Sequence, residues 1–375
     1  MSKFLNPYNF IRCPTRTPGD KNFGDNRPLG HERLHPNRVS GTMDVRIEAR
    51  TPLLVSDSEY EVDDNHVTKK VRVDDKGHPL IPPSSVKGAL RSAFEIITNS
   101  RMGVPQQTTR ADLRHARNID ELSAADHVFG WVSDSGHGQK HSSLAGQISI
   151  GPVTALDSAR VEAEVRTLSE LLSPRPRDMK KGWYGDKEAP SSRKVYLHHQ
   201  AQPANGKPKQ TKINQSITGT VASGSSFTFR ISLRNVSEIH FGALLYLLML
   251  DDGYYLHLGG AKPLGYGSIR LEVAGSQVAT NSQWQRSFEE LTPITYVNNE
   301  ALHAFRGKFE SAVKATHWGD KVLLQFKAAA KPYAEGIHYP DRKGHEPKHL
   351  PPLGDSPPFL TSRGGEHGSG NRRQH

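Results

Sequence analysis

The sequence predicts an α+β fold: a ferredoxin-like (RRM-like) βαββαβ core with long insertions and irregular N- and C-terminal extensions. Three observations predict it. Period-two alternation marks strands at 41–50 and 226–233, apolar stripes mark helices at 85–98 and 239–250, and the elements fall in the order β, α, β, β, α, β. In such a core two helices cover one face of a four-stranded antiparallel sheet and leave the other available, as in many RNA-binding modules.

Each element has its own justification. In 41–50, Met43, Val45, Ile47 and Ala49 alternate with polar residues, the mark of a half-buried strand. A second extended stretch, 66–73, ends in Asp74, Asp75, Lys76 and Gly77, whose side chains suit a turn. The prolines at 82 and 83 cannot be helical, and the serine after them predicts a side-chain cap for a helix from Ser85 to Thr98. Its apolar stripe is Val86, Leu90, Ala93, Phe94 and Ile97, with Lys87 and Arg91 on a neighbouring face. Residues 144–156 predict the next strand, and 226–233 alternates Phe227, Phe229, Ile231 and Leu233. The segment 239–250 is apolar on almost every side and predicts a buried helix, followed by a glycine-rich loop at 256–267 and a last strand at 268–273. The expected domains are an N-terminal extension (1–39), the core (40–275) with a thumb-like basic insertion (157–225), a C-terminal extension (276–331) and a Pro/Gly/His-rich, largely disordered tail (332–375).

Composition narrows the function classes. The 375 residues are 35% hydrophobic and 23% charged, and the longest apolar run is half the roughly 20 residues of a membrane span. No membrane partner is expected. One cysteine, Cys13, excludes an internal disulfide and thiolate metal clusters, which fits a reducing cytoplasm. The net charge of +10 points to a polyanionic partner. Seven of those charges sit in 174–212, where ten cations face three acids among prolines and glycines. Trp183, Tyr184 and Tyr196 are interleaved with cations including Arg193 and Lys194, a combination suited to splayed bases, although a solvated loop has the same composition. No structural metal is expected, because adjacent His198 and His199 point apart on a strand and lack further ligands at tetrahedral spacing.

Two segments carry chemistry. The start of the first helix offers free amides, the hydroxyls of Ser84 and Ser85, and Lys87 and Arg91 nearby, which together suit successive phosphates. An ordinary capped helix with solvated cations is the plainer alternative. The loop Leu258-Gly259-Gly260-Ala261-Lys262-Pro263-Leu264-Gly265-Tyr266-Gly267 offers close backbone approach, the charge of Lys262 and the stacking face of Tyr266. It fits neither the Walker spacing nor a dinucleotide-binding fingerprint.

Together these segments, "IPPSSVKGALRSAFE" and "GGAKPLGYGSIRLEV", resemble the CRISPR-associated RAMP superfamily over roughly residues 40–275. Weaker matches are "HVFGW", the "LAGQISIG" strand and the 239–250 helix. The opening "FLNPYNFIR" is similar to one subfamily of the Cas-seven-like backbone subunits of type III and related effector complexes. The resemblance implies a CRISPR RNA-binding subunit in an antiviral ribonucleoprotein, stacked in several copies along the guide, with complementary target RNA, a Cas-five-like cap and a separate nuclease as partners. It implies guide contacts from Ser84, Ser85, Lys87, Arg91, Gly259, Gly260, Lys262, Gly265 and Tyr266. Trp183, Tyr184, Arg193, Lys194 and Tyr196 become candidates on a thumb that reaches over the guide–target duplex, and Asn6 to Phe10 and His31 to Arg38 become candidates for neighbour contact.

Target-cleaving relatives carry an aspartate in the loop before the serine-rich helix. Here the equivalent position falls near Val67 or Thr68, which cannot serve, and the nearest acids are Asp63 and Asp64. The expectation is therefore a scaffold without a cofactor, with Mg2+ required only if Asp64 makes the subunit a target-RNA endoribonuclease. A repeat-processing endoribonuclease with a histidine base (His31, His35, His198 or His199) and a generic basic RNA-binding protein are the remaining readings.

Overall fold

In the computed structural model, the structure describes residues 7–17, 19–63, 66–103, 110–133, 142–169, 171, 192–201, 215–319, 321–333 and 337. Its centre is an antiparallel sheet. Strands β1 (Tyr8–Arg12), β2 (Arg38–Ala49), β3 (Ser56–Asp63) and β4 (His66–Val71) precede helices α1 (Pro83–Ile97) and α2 (Ala124–Phe129). Strands β5 (Ile148–Ile150), β6 (Ser192–Tyr196), β7 (Gln215–Ile217) and β8 (Ser226–Ser237) follow, then α3 (Glu238–Leu248) and β9 (Ser268–Thr280). Helices α4 (Asn281–Glu290), α5 (Asn299–Lys314) and α6 (Lys321–Ala330) complete the described chain.

The central sheet runs β9-β2-β8-β5, with the short strand Leu256–His257 outside β9. Every pairing in it is antiparallel. The alternation of β2 and β8 sets the register: Ile47 faces Phe227, Val45 faces Phe229 and Met43 faces Ile231, all buried on one side. Helices α1 and α3 pack on that side. In α1 the buried stripe is Val86, Leu90, Phe94 and Ile97, whereas α3 is buried from His240 to Leu248 because α5 covers its far side. That helix pair is close: a Cβ on Gly242 would meet the Phe305 carbonyl. The opposite sheet face bears alternating charges, Asp44, Arg46, Glu48, Arg230, Arg270 and Glu272, and no aromatic platform among these positions. It does not offer the stacking surface expected of an RRM-like open face.

Several boundaries differ from the sequence reading. Helix α1 starts two residues before Ser85, with Pro82 at the cap and no side-chain cap bond, because a proline in the first turn sacrifices an N–H that has no helical partner. The expected strand at 144–156 is broken into Ser143–Leu144, β5 and Thr154–Ala155, since Gly146 abuts the 128–130 backbone and Pro152, which follows the Gly151 amide bonded to Arg230 of β8, has no N–H to donate. The last strand runs seven residues further than expected, through a bulge between Val273 and Gly275. The expected turn at 74–77 is present: Gly77 sits at φ +81° and Asp74 accepts bonds from the Lys76 and His78 amides.

The flanks are built in. Strand β1 pairs along its whole length with β6, Tyr8 facing Tyr196 and Phe10 facing Lys194. Arg16 is buried and donates to Asp25 at 2.5 Å and to the Phe23 carbonyl at 3.1 Å. The basic stretch 174–212, expected to be a weakly structured excursion, therefore contains at 192–201 a packed strand and the buried Leu197, His198 and His199. At 332–333 the chain docks on it, the Tyr333 amide bonding the His198 carbonyl at 2.7 Å. No helix among the described residues is long and apolar enough to cross a membrane.

Candidate nucleic-acid interface

The fold places two depressions on either side of α1. The first is a cleft of about 630 Å³ between the helix's opening turns, the base of the β3–β4 hairpin, the glycine loop, the β1–β6 ribbon and α6. Ser85 and Gly88 face it from the helix, Lys69 from β4, Lys194 and Tyr196 from β6, and Gly259, Gly260 and Lys262 from the loop. Three lysines and no carboxylate stand among its described lining residues. The second is a groove of about 700 Å³ lined by Lys87, Arg91, Phe129, Trp131, Val132 and the 143–146 backbone. Between the two, exposed Ser84 and Gly88 form the crest of the helix.

Lys194 and Lys262 in the cleft, and Lys87 in the adjoining groove, are held at a cost in solvation. Burial pushes Lys194 down to about 8, with its Nζ 3.9 Å from the Tyr8 ring centroid and 5.3 Å from that of Tyr196. Burial also lowers Lys262, and Lys87 is lowered by burial and then by neighbouring Arg91. A polyanion would relieve all three, since it restores to each ammonium the favourable field that water no longer supplies.

Histidines form the cleft floor. His198 and His257 stack with centroids 3.8 Å apart and planes 7° from parallel. His198 Nδ1 is bonded to Ser268 Oγ at 2.8 Å, and His257 donates to the Tyr196 carbonyl at 3.2 Å. Burial first, then His199, drives His198 down to about 3, and burial first, then His198, drives His257 well below its ordinary value. Groups so weakly basic do not suit proton abstraction near neutral pH. The other candidate bases lie apart: His31 donates to the Ala145 carbonyl at 2.9 Å, His35 receives its place from Asn235 on the β8 side, and His199 Nδ1 bonds the Gln200 carbonyl at 2.9 Å.

The structure separates the residues singled out from sequence into two groups. Ser84, Ser85, Gly260, Lys262, Lys194 and Tyr196 meet at the cleft or its rim, and Lys87 borders the adjoining groove. Arg91 and Arg193 are engaged elsewhere. Arg91 donates to Glu95 at 2.9 Å, Asp126 at 2.7 Å and the Gly130 carbonyl at 2.6 Å, fastening α1 to α2. Arg193 donates to Glu95 at 3.1 Å and to the Ser100 carbonyl, fastening the β6 strand to α1. Tyr266 is not a stacking face: it is 1% exposed in a small core with Leu54, Leu168, Ile217 and Leu264. Gly265 serves chain packing, and Gly259 does so while lining the cleft, because at φ +84° and +86° a Cβ would strike the Gln200 and Leu54 carbonyls. Trp183, Tyr184 and Asp64 lie outside the described residues, and Asp63 ends β3 opposite His66.

Sequence reasoning missed Lys69, Tyr8 and Glu95. Glu95 was detectable as the i+4 partner of Arg91, but its second partner comes from β6, and only tertiary structure shows that.

A family model, the RAMP superfamily, matches residues 46–270. The chain belongs to the RAMP superfamily. The RAMP match runs from the last residues of β2 to the first residues of β9, and so takes in α1 and the glycine loop, while β1 and helices α4–α6 lie outside it. Among solved structures, a chain of a "Type IV-B CRISPR Complex" is similar at 22% identity over 63% of this chain and 91% of that one, with a TM-score of 0.34. Csc2 of Thermofilum pendens is similar at 14% identity over 76% and 81%, also with a TM-score of 0.34. No curated protein matches the sequence.

Proposed function

We propose that this RAMP protein is a CRISPR RNA-binding backbone subunit that assembles in several copies along a guide and presents it to complementary target RNA. We infer further that the sheet β9-β2-β8-β5, with α1 and α3 on one face, is the ferredoxin-like core expected from the sequence. The observation that carries the functional reading is the cleft where the first turns of α1, the glycine loop and the β6 strand converge with Lys69, Lys194 and Lys262 and without a described carboxylate. A single strand crossing the crest at Ser84 and Gly88 would meet the helix amides there, the three cleft lysines on one side and Lys87 on the other. Tyr196, beside Lys194, supplies an aromatic face for a base.

The role is that of a scaffold. The histidines that reach the cleft are too weakly basic for acid–base work, and the other partners expected from the resemblance, a cap subunit and a separate nuclease, would supply the ends and the cutting. The test is to purify the chain with a CRISPR RNA, weigh the particle, and add a labelled complementary RNA. A copy number that rises with guide length and an intact target support the scaffold. One copy per RNA whatever its length sinks it, and regular cuts lost in Asp64→Ala would make the subunit the enzyme.

A further inference from the structure

One wall of the cleft is backed by chain that the RAMP match does not reach. Its β6 strand carries Lys194 and Tyr196, and the strand laid along β6 is β1, from the N-terminal extension. Pairing runs from Tyr8 opposite Tyr196 to Arg12 opposite Ser192, and the Leu197 amide continues it by donating to the Pro7 carbonyl at 3.0 Å. Phe10 and Ile11 are buried and fix the strand from within. Helix α6, also outside the match, packs against β1 and gives the cleft Phe326, Ala329 and Ala330.

Tyr8 is where β1 meets the charge of the site. Its side chain shares a face of the β1–β6 ribbon with Phe10, Lys194 and Tyr196, because residues directly opposite and residues two apart lie on one side. Lys194 Nζ stands nearer the Tyr8 ring, at 3.9 Å from its centroid, than the Tyr196 ring, at 5.3 Å. Phe10 meets the Tyr8 ring edge-on at 5.9 Å and sets its plane. Lys194 lines the cleft and Tyr8 does not, so the ring stands behind the ammonium. The other titratable groups of the described lining are Lys69, Lys262, His198, His257, Tyr196 and Tyr255, none of them an anion near neutral pH. The attraction that the cleft offers the Lys194 charge therefore comes from aromatic faces, Tyr8 first.

We propose that Tyr8 is a positioning residue for RNA binding: its ring holds the Lys194 ammonium toward the cleft, so that the N-terminal strand completes a site the matched core does not complete alone. A free lysine samples many rotamers and loses that freedom on meeting a phosphate, whereas one already held against a ring has lost it beforehand. The proposal rests on the cleft reading above, which gives Lys194 its phosphate, and its test separates the two.

The full-length wild type is compared with Tyr8→Phe, Tyr8→Leu, Lys194→Ala and the Tyr8→Leu/Lys194→Ala double variant. Phenylalanine keeps the ring, and leucine keeps apolar bulk on the strand while removing the π face. Anisotropy with a short labelled oligouridine at neutral pH reads affinity. NMR of isotope-labelled, methylated lysines in the RNA-free protein reads the Lys194 amine, whose signal is the one absent from Lys194→Ala. Tyr8→Leu should lose about three- to tenfold in affinity, Tyr8→Phe should restore it, and the double variant should bind no worse than Lys194→Ala alone. The wild-type Lys194 signal should be displaced upfield by the ring current of Tyr8 and titrate at about 8; in Tyr8→Leu it should lose that displacement and titrate lower, because the ring favours the charged form and leucine still excludes water. A purely structural Tyr8 would weaken Lys194→Ala as much as it weakens wild type, and that result overturns the proposal while leaving the cleft reading intact. A wild-type Lys194 signal without the upfield displacement overturns it as well, whether or not the leucine variant folds. If wild type binds no RNA, or Lys194→Ala binds as tightly as wild type, the cleft reading falls and the proposal with it.

Discussion

If RNA binds in the cleft as proposed, Lys194 should make its affinity fall as pH rises into the alkaline range. In the free protein burial holds this lysine at about 8, against an ordinary 10.5. A phosphate beside the ammonium favours the charged form, so binding takes up a proton and weakens as pH rises through the free-state value. If the complex restores the ordinary value, affinity falls about tenfold between pH 7 and pH 9, because the free protein has lost most of the charge by then and the complex has not. Fluorescence anisotropy with a labelled single strand at constant ionic strength measures this. Lys194→Arg should bind well and stay flat over the same range, since a guanidinium does not deprotonate there, and Lys194→Ala should bind weakly and also stay flat. A wild type without pH dependence, or a Lys194→Ala protein that keeps the tenfold fall, would refute the placement of this side chain against phosphate.

Acid stability follows from the buried imidazoles. His198 and His240 are held near 3 and His257 well below its ordinary 6.5, chiefly by burial, so the unfolded chain takes protons that the folded one refuses. Their stability is full above pH 6.5 and is lost as pH falls below it, at about 1.4 kcal/mol per pH unit for each, so melting temperature should drop steeply from pH 6 to pH 4.5 and a flat profile would contradict the burial. Glu95→Ala leaves Arg193 without a carboxylate, holding only the Ser100 carbonyl, and leaves Arg91 with Asp126 as its one carboxylate, which should cost about 3–5 kcal/mol in denaturant unfolding; a loss under 1 kcal/mol would show that the buried pair is dispensable. Gly259→Ala should destabilise the protein, as its Cβ would lie 2.6 Å from the Leu54 carbonyl. Gly260→Ala, whose Cβ would sit 3.4 Å from a flexible Leu54 side chain, should fold normally, and equal melting temperatures for the two would count against the loop geometry.

Local patterns carried the centre of the fold. The alternation in 41–50 and 226–233, the stripe of α1 and the all-round apolarity of α3 are each set within a dozen residues, and the structure keeps them. What escaped was non-local. Strand β1 is five residues whose partners lie 180 or more positions away, so no periodicity within it announces the pairing. The same holds for the site. Lys262, Ser85 and Lys194 could be nominated one by one, but that they share a cleft depends on the β1–β6 ribbon being pinned to α1 by Arg193 and Glu95. Arg91 was a reasonable phosphate ligand until Asp126, 35 residues on, appeared against it. The glycines of the loop were visible, and their φ values were not: three of them, Gly259, Gly265 and Gly267, serve the chain's own carbonyls, which composition alone does not distinguish from approach to a ligand.

The central claim is that a polyanion lies across the first turns of α1 among Lys69, Lys87, Lys194 and Lys262. Salt dependence tests it most directly, because each phosphate neutralised on a single strand adds about 0.7 to the slope of log affinity against log salt. Wild type should show a slope near −3, and each of Lys69→Ala, Lys87→Ala, Lys194→Ala and Lys262→Ala should flatten it by about 0.7. A slope unchanged by all four substitutions would place the RNA elsewhere on the protein.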